Sequence, residues 1–121
     1  MAVIRTQRVY DAAGREGATR YLVDRLWPRG VKKEALEGVV WAREAAPSDG
    51  LRRWFGHSPE KWEDFRRRYF AELDSKPAAW RPILESLRRG DVVLLYGARD
   101  TERNNAVALR EYLMSKRGRK R

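Results

Sequence analysis

Apolar and polar positions along this chain follow two different periods. Val3-Ile4-Arg5-Thr6-Gln7-Arg8-Val9-Tyr10 mixes β-branched and aromatic residues with polar ones, which predicts a strand closed by the turn-rich stretch from Asp11 to Gly17. Tyr21 to Asp24 predicts a second short strand, and Val39-Val40-Trp41 a third, closed off by Pro47. Asp91-Val92-Val93-Leu94-Leu95-Tyr96 carries the clearest signal, an unbroken apolar run of the kind found in a strand buried on both faces. Such a strand calls for helices above and below it.

Helical spacing supplies them. Ser58 is placed to cap a helix with Pro59 at its first position, after which Trp62, Phe65, Tyr69, Phe70 and Leu73 recur as a core stripe while Arg66, Arg67 and Arg68 cluster between them. Trp80, Ile83, Leu84 and Leu87 predict a further helix stopped by Gly90, and Ala106, Leu109 and Leu113 a last one after Thr101. A shorter helix is expected from Ser48 through Leu51, Trp54 and Phe55. Three strands, three helices, a strand and a helix fit a small layered α/β domain, with a mostly parallel sheet of about four strands flanked by helices. A winged three-helix DNA reader is the competing fold. The Val92–Tyr96 run opposes it, because a wing is a hairpin with one face in water.

At 121 residues without cysteine, the chain has the size of one domain spanning residues 1–115, able to form a core without disulfides. Cysteine-ligated zinc, iron–sulfur and thiol chemistry are excluded. No apolar run approaches the ~18 residues of a membrane span, so the expectation is a cytoplasmic protein with no membrane partner. Lys and Arg number 27 against 17 Asp and Glu, a net charge of +10 that attracts polyanions whatever the fold. Much of that excess lies in Lys116-Arg117-Gly118-Arg119-Lys120-Arg121, expected to be a disordered basic tail.

The densest chemistry is the heptapeptide Asp24-Arg25-Leu26-Trp27-Pro28-Arg29-Gly30, directly after the second strand. A turn needs Gly or Pro for its backbone, but has no folding reason to gather two arginines and an aspartate round an indole. Ala98-Arg99-Asp100 follows the last strand in the same way. If the two strands are parallel neighbours, both clusters emerge at the carboxyl-terminal edge of the sheet, where open α/β sheets bind ligands. Asp100 or Thr101 would cap the last helix, whose first-turn N–H groups favour an anion, and Arg25, Arg29 and Arg99 suit the same guest. A plainer reading stands beside this one: Asp24 holds Arg25 or Arg29 in a local ion pair, and Trp27-Pro28 plugs the sheet edge. His57, the sole histidine, follows Gly56 and serves either packing and capping or proton transfer. One histidine makes no imidazole-based zinc site, and no dinucleotide, phosphate-loop or nucleophile-elbow signature is present, so no metal and no cofactor are assigned.

Three segments, LVDRLWPRGVKKE (22–34), WFGHSPEKWEDFRRRY (54–69) and VVLLYGARDTERNNAVALREYL (92–113), together with Ala46-Pro47-Ser48, resemble the YeaO-like branch of the domain-of-unknown-function 488 family. They cover most of the chain in the family's order. The resemblance implies an α/β domain with its motifs at one end of the sheet, in bacterial and archaeal proteins without an established activity. The family's last motif leads through an acidic residue to a histidine–asparagine pair; Asp100 and Asn104 match, but Arg103 stands in the histidine's place. That departure tells against any mechanism needing two imidazoles. It leaves anion binding untouched. A transcriptional-regulator label sometimes attached to the family finds no wing pattern here.

The leading expectation is therefore an anionic or nucleotide-like ligand at the sheet edge. Arg25, Arg29 and Arg99 would hold the anion, Trp27 would wall the pocket and Asn104 would orient the ligand. Asp24 and Asp100 would orient arginines or exchange protons, and His57 would be the proton-transfer candidate. Whether any bond is broken is left open, as is the oligomeric state. The alternative is a nucleic-acid-binding accessory protein, using the basic tail and the Arg66–Arg68 cluster.

Overall fold

A computed structural model of the protein describes residues 2–11 and 17–117. Four strands, β1 (Ile4–Arg8), β2 (Thr19–Leu22), β3 (Val40–Trp41) and β4 (Val92–Tyr96), form one sheet in the order β1-β4-β2-β3. Every pairing is parallel: Thr6 and Tyr21 both flank Leu94, and Tyr21 lies opposite Val40. The unbroken apolar run thus becomes a central strand, buried at all five positions. No hairpin wing exists among the described residues, so the winged alternative falls. The first three strands are shorter than, or offset from, the sequence expectation. Val9–Asp11 turns into a 3-10 helix, and β2 ends at Leu22, before Asp24.

Four α-helices follow: α1 (Asp49–Phe55), α2 (Trp62–Asp74), α3 (Pro77–Ser86) and α4 (Asn105–Arg117). Their ends differ from the sequence reading for local reasons. Ser48 caps α1 through its side chain, accepting from the N–H of Leu51, as the sequence suggests. Ser58 makes no side-chain cap, and Pro59–Lys61 forms a 3-10 turn that leads into α2. α3 stops at Ser86, well before Gly90. α4 is capped by Asn104, whose Oδ1 accepts from Val107 N–H at 2.9 Å, not by Asp100 or Thr101. At its other end α4 runs through Arg117, so Lys116 and Arg117 are helical rather than tail; residues 118–121 lie outside the described residues.

The sheet's two faces are covered by different materials. Ile4, Tyr21, Val23, Val92, Leu94 and Tyr96 face Leu51 and Phe55 of α1, Phe65, Tyr69 and Leu73 of α2, Trp80 and Ile83 of α3, and Leu109 and Leu113 of α4. Leu22, Val93 and Leu95 point the other way. They are covered by Val9 and Leu36, with Ala18, Trp27, Val31 and Val39 packed around them. The expectation of helices on both faces is thus corrected. The segment from Val23 to Val39 carries Pro28, Gly30 and Gly38, with positive φ at both glycines, and forms only a 3-10 turn at Lys33–Leu36. It therefore lies across the sheet as an irregular cover, with the Trp27 indole donating to Val31 O at 2.6 Å.

Leu94 is fully buried between β1 and β2 and contributes to the helical face. Truncating Leu94→Ala leaves a cavity where neighbours on both sides are fixed by the ladder. We expect a loss of about 2–5 kcal/mol in urea unfolding; a loss under about 1 kcal/mol would contradict this account of the core.

Candidate functional site

Because the sheet is parallel, β2 and β4 deliver the residues after Leu22 and Tyr96 to one edge. There the Asp24 carboxylate joins three elements. Its Oδ2 accepts from Gly97 N–H at 2.9 Å, and its Oδ1 accepts from the Asn105 amide at 3.0 Å, the same amide nitrogen donating to Val23 O at 2.8 Å. A Cβ at Gly97 would sit 3.1 Å from Asp24 Oδ2, so a larger residue there would have to push the carboxylate aside by a few tenths of an ångström. Asp24 forms no ion pair with Arg25 or Arg29, contrary to the plainer sequence reading; its partners are an amide and a backbone N–H. Burial raises its pKa above the ordinary 3.8, opposed by the Asn105 and Gly97 hydrogen bonds and then by the charges of His57 and Arg52.

Around this anchor opens a cleft of about 480 Å³. Its lining contains Asp24, Arg25, Trp27, Arg29, His57 and Asn104 from the sequence-based set. Arg25 enters from a half-buried position, its guanidinium donating to Pro47 O at 3.3 Å and Ala46 O at 3.4 Å. That loop is itself fixed by Tyr69, whose buried hydroxyl donates to Ala45 O, and by Glu72, which accepts from Ser48 N–H and Oγ–H. Tyr10 holds the backbone of Arg29, its hydroxyl donating to the Arg29 carbonyl at 2.9 Å. Trp27 is both plug and wall, packing edge-on against Trp41 at 5.3 Å while lining the cleft. Asn104 borders the cleft, but its amide is engaged: Oδ1 caps α4 and Nδ2 donates to Asp100 O at 2.8 Å.

Arg99 and Asp100 are not among the lining residues. The loop after β4 closes on itself, with Asp100 Oδ1 accepting from the N–H groups of Glu102 and Arg103, which hold its pKa below the usual carboxylate value. Arg103, in the family's histidine position, lies 3.8 Å from Asp100 and also outside the lining. In exchange, the cleft contains Arg52 and Arg53 from the last turn of α1, together with Tyr10, Phe55, Phe65 and Asn105. The sequence signal for the two arginines was their position just before Trp54-Phe55-Gly56-His57, where a charged helix face reads as mere solvent contact. Arg52 lies only loosely against Asp49 at 3.4 Å, and its buried Nε has no hydrogen-bond partner among the described residues.

His57 is exposed, at φ 60°, the one non-glycine residue with positive φ among the described residues. It follows Gly56 at φ 51°, and Ser58 N–H closes the turn on Phe55 O at 2.9 Å. Among the described residues, no three His, Cys, Asp or Glu side chains gather closely enough to hold a metal ion, and no helix is long and apolar enough to cross a membrane.

Comparison with known proteins places this geometry in a family. Residues 3–121 match the family model described as the inactive DUF488-N3 subclade. The uncharacterized protein YeaO of Escherichia coli (strain K12) is 38% identical over 112 residues, 93% of this chain and 97% of that protein. The uncharacterized protein Rv3073c of Mycobacterium tuberculosis (strain ATCC 25618 / H37Rv) is 34% identical over 110 residues, 91% of this chain and 92% of that protein. No solved structure matches this chain.

Asp24 gives the site a measurable signature. With its pKa raised, the folded chain keeps this proton at pH values where the unfolded chain has lost it, so its contribution to stability falls as pH rises from 3.8 through the raised value. Asp24→Asn removes that titration and sets an amide donor against Gly97 N–H or the Asn105 amide. Urea unfolding at neutral pH should show a loss of about 1–3 kcal/mol, with a flatter stability profile just above pH 4. An unchanged profile would mean that Asp24 titrates as a surface carboxyl.

Proposed function

This chain belongs to the DUF488 family, in its YeaO-like branch and the subclade described as inactive, and from that premise we propose that it binds a small anionic ligand at the carboxyl-terminal edge of its sheet without turning it over. The observation that carries this reading is the convergence of Arg25, Arg29, Arg52 and Arg53 on one cleft in which Asp24 is the sole lining carboxylate among the described residues. Arg25 lies 4.0 Å from Glu44 and Arg52 3.4 Å from Asp49, whereas Arg29 and Arg53 make no side-chain ion pair among the described residues, so those two carry the cleft's unpaired positive charge. A guanidinium binds phosphate or carboxylate through paired N–H groups, and partial exclusion of water strengthens each contact.

Binding is favoured over catalysis by what the acids and bases are doing. Asp24 is a structural acceptor, Asp100 is satisfied by its own loop, and Tyr69 is committed to Ala45 O. His57 remains as a lone imidazole with no orienting hydrogen bond among the described residues. General acid–base catalysis requires a group held at a reacting atom, usually by a second group behind it. The subclade's description as inactive supports the same reading.

Nucleic-acid binding draws on the net charge of +10, the basic residues 116–121 and the Arg66–Arg68 cluster, of which the cluster is partly partnered. Arg66 pairs with Glu63 at 2.6 Å and with Glu111, Arg67 pairs with Asp64, and Arg68 lies over the Trp54 ring at 4.3 Å. Arg66 is thereby tied to α4, while Arg67 and Arg68 stay exposed.

Arg29 and Arg53 are exposed and make no side-chain ion pair among the described residues, so removing them tests the reading without disturbing the core. Titration calorimetry with inorganic phosphate should show binding that weakens at least about tenfold in the Arg29→Ala/Arg53→Ala double variant, the loss expected from roughly one charge-assisted contact. Absence of binding by the native chain, or equal binding by both, would overturn the proposal.

A further inference from the structure

The cleft has a second wall, and it is aromatic. Phe65 and Phe55 stack at 4.4 Å between ring centroids, and the His57 ring continues the row from Phe55 at 6.2 Å. All three line the cleft, Phe65 and Phe55 buried at its depth and His57 exposed at its mouth. Tyr10 and Trp27 line the cleft as well. An inorganic anion would use the arginines and leave the exposed His57 ring, at the end of this row, unmatched.

The backbone at His57 adds an independent observation. Two successive left-handed residues make a tight turn, and the second is not glycine. Glycine adopts this conformation freely, whereas a residue with a Cβ is strained there, so an imidazole at this point costs stability. No hydrogen bond among the described residues repays it: the ring serves as neither cap nor core. Strain of this kind persists where a side chain must be presented in a particular place, and here that place is the end of an aromatic row beside Arg52 and Arg53.

We propose that the cleft selects an aromatic anion, a planar ring carrying a phosphate or carboxylate group, with the ring lying against Phe55 and His57 and the anionic group held by the arginines. This rests on the anion-binding reading above and names the class of ligand. His57 acts through its ring face, as a binding residue and not as a proton carrier. Ring–ring contact of this type prefers offset or edge-to-face geometry, and the tilted Phe55–His57 pair, 56° between planes, leaves such an approach open from the cleft side.

The test compares phenyl phosphate with inorganic phosphate by calorimetry on the full chain, in the native protein and in His57→Gly and His57→Phe. Phenyl phosphate should bind at least about tenfold more tightly than inorganic phosphate, the value of one well-formed aromatic contact. His57→Gly should keep or raise Tm, because glycine relieves the turn, while weakening phenyl phosphate at least about fivefold and leaving inorganic phosphate unchanged. If His57→Gly instead lowers Tm, His57→Phe decides: recovery of phenyl phosphate affinity by a ring supports the assignment, and no recovery overturns it. Equal affinity for the two phosphates overturns the aromatic selection while anion binding stands. If neither phosphate binds, both readings fall together.

Discussion

The Asp24 carboxylate is the constraint on which the working end of this protein depends. Placed one residue beyond Val23, it accepts from the backbone just past β4 and from the first residue of α4, fixing three elements at one point. A carboxylate taken out of water is costly unless its oxygens are satisfied, and two donors of different origin satisfy it here. The arrangement extends the contact between β2 and β4 one step past the backbone ladder, whose last bond runs from Val23 N–H to Leu95 O at 3.0 Å. It adds to the Asn105 bond to Val23 O in holding the start of the arginine-bearing segment against α4.

The central strand and the helical stripes could be read from sequence because each rests on a short-range pattern. The Val92–Tyr96 run has one physical solution, burial on both faces, and the Phe65, Tyr69 and Leu73 spacing has one helical face. What covers the second face was hidden. Trp27, Val31, Leu36 and Val39 follow no period, and their joint burial emerges only once the segment is laid across Val93 and Leu95.

The site was legible to a similar degree. The heptapeptide and His57 stand out because their composition exceeds what a turn needs. Arg52 and Arg53 do not, since arginines on a short helix are ordinary and only the packing of α1 brings them to the cleft. Arg99 and Asp100 differ in the opposite direction, standing out in the sequence while lying outside the cleft lining. They sit at a strand's carboxyl end, where ligand groups are expected, but Asp100 turns its carboxylate inward on its own loop and shifts the start of α4 to Asn105. A rule about sheet edges says which loops to search; hydrogen bonds within a loop decide which of its side chains are free.

Trp27, in the cover formed by Val23 to Val39, is at once packed on the core and part of the cleft wall, so at that residue the two cannot be altered separately. Any change of Trp27 that reshapes the cavity also exposes Leu22 and Leu95. Gly56 and His57 belong to neither core cluster. A substitution in the turn after α1 therefore changes the border of the cleft without unpacking the sheet.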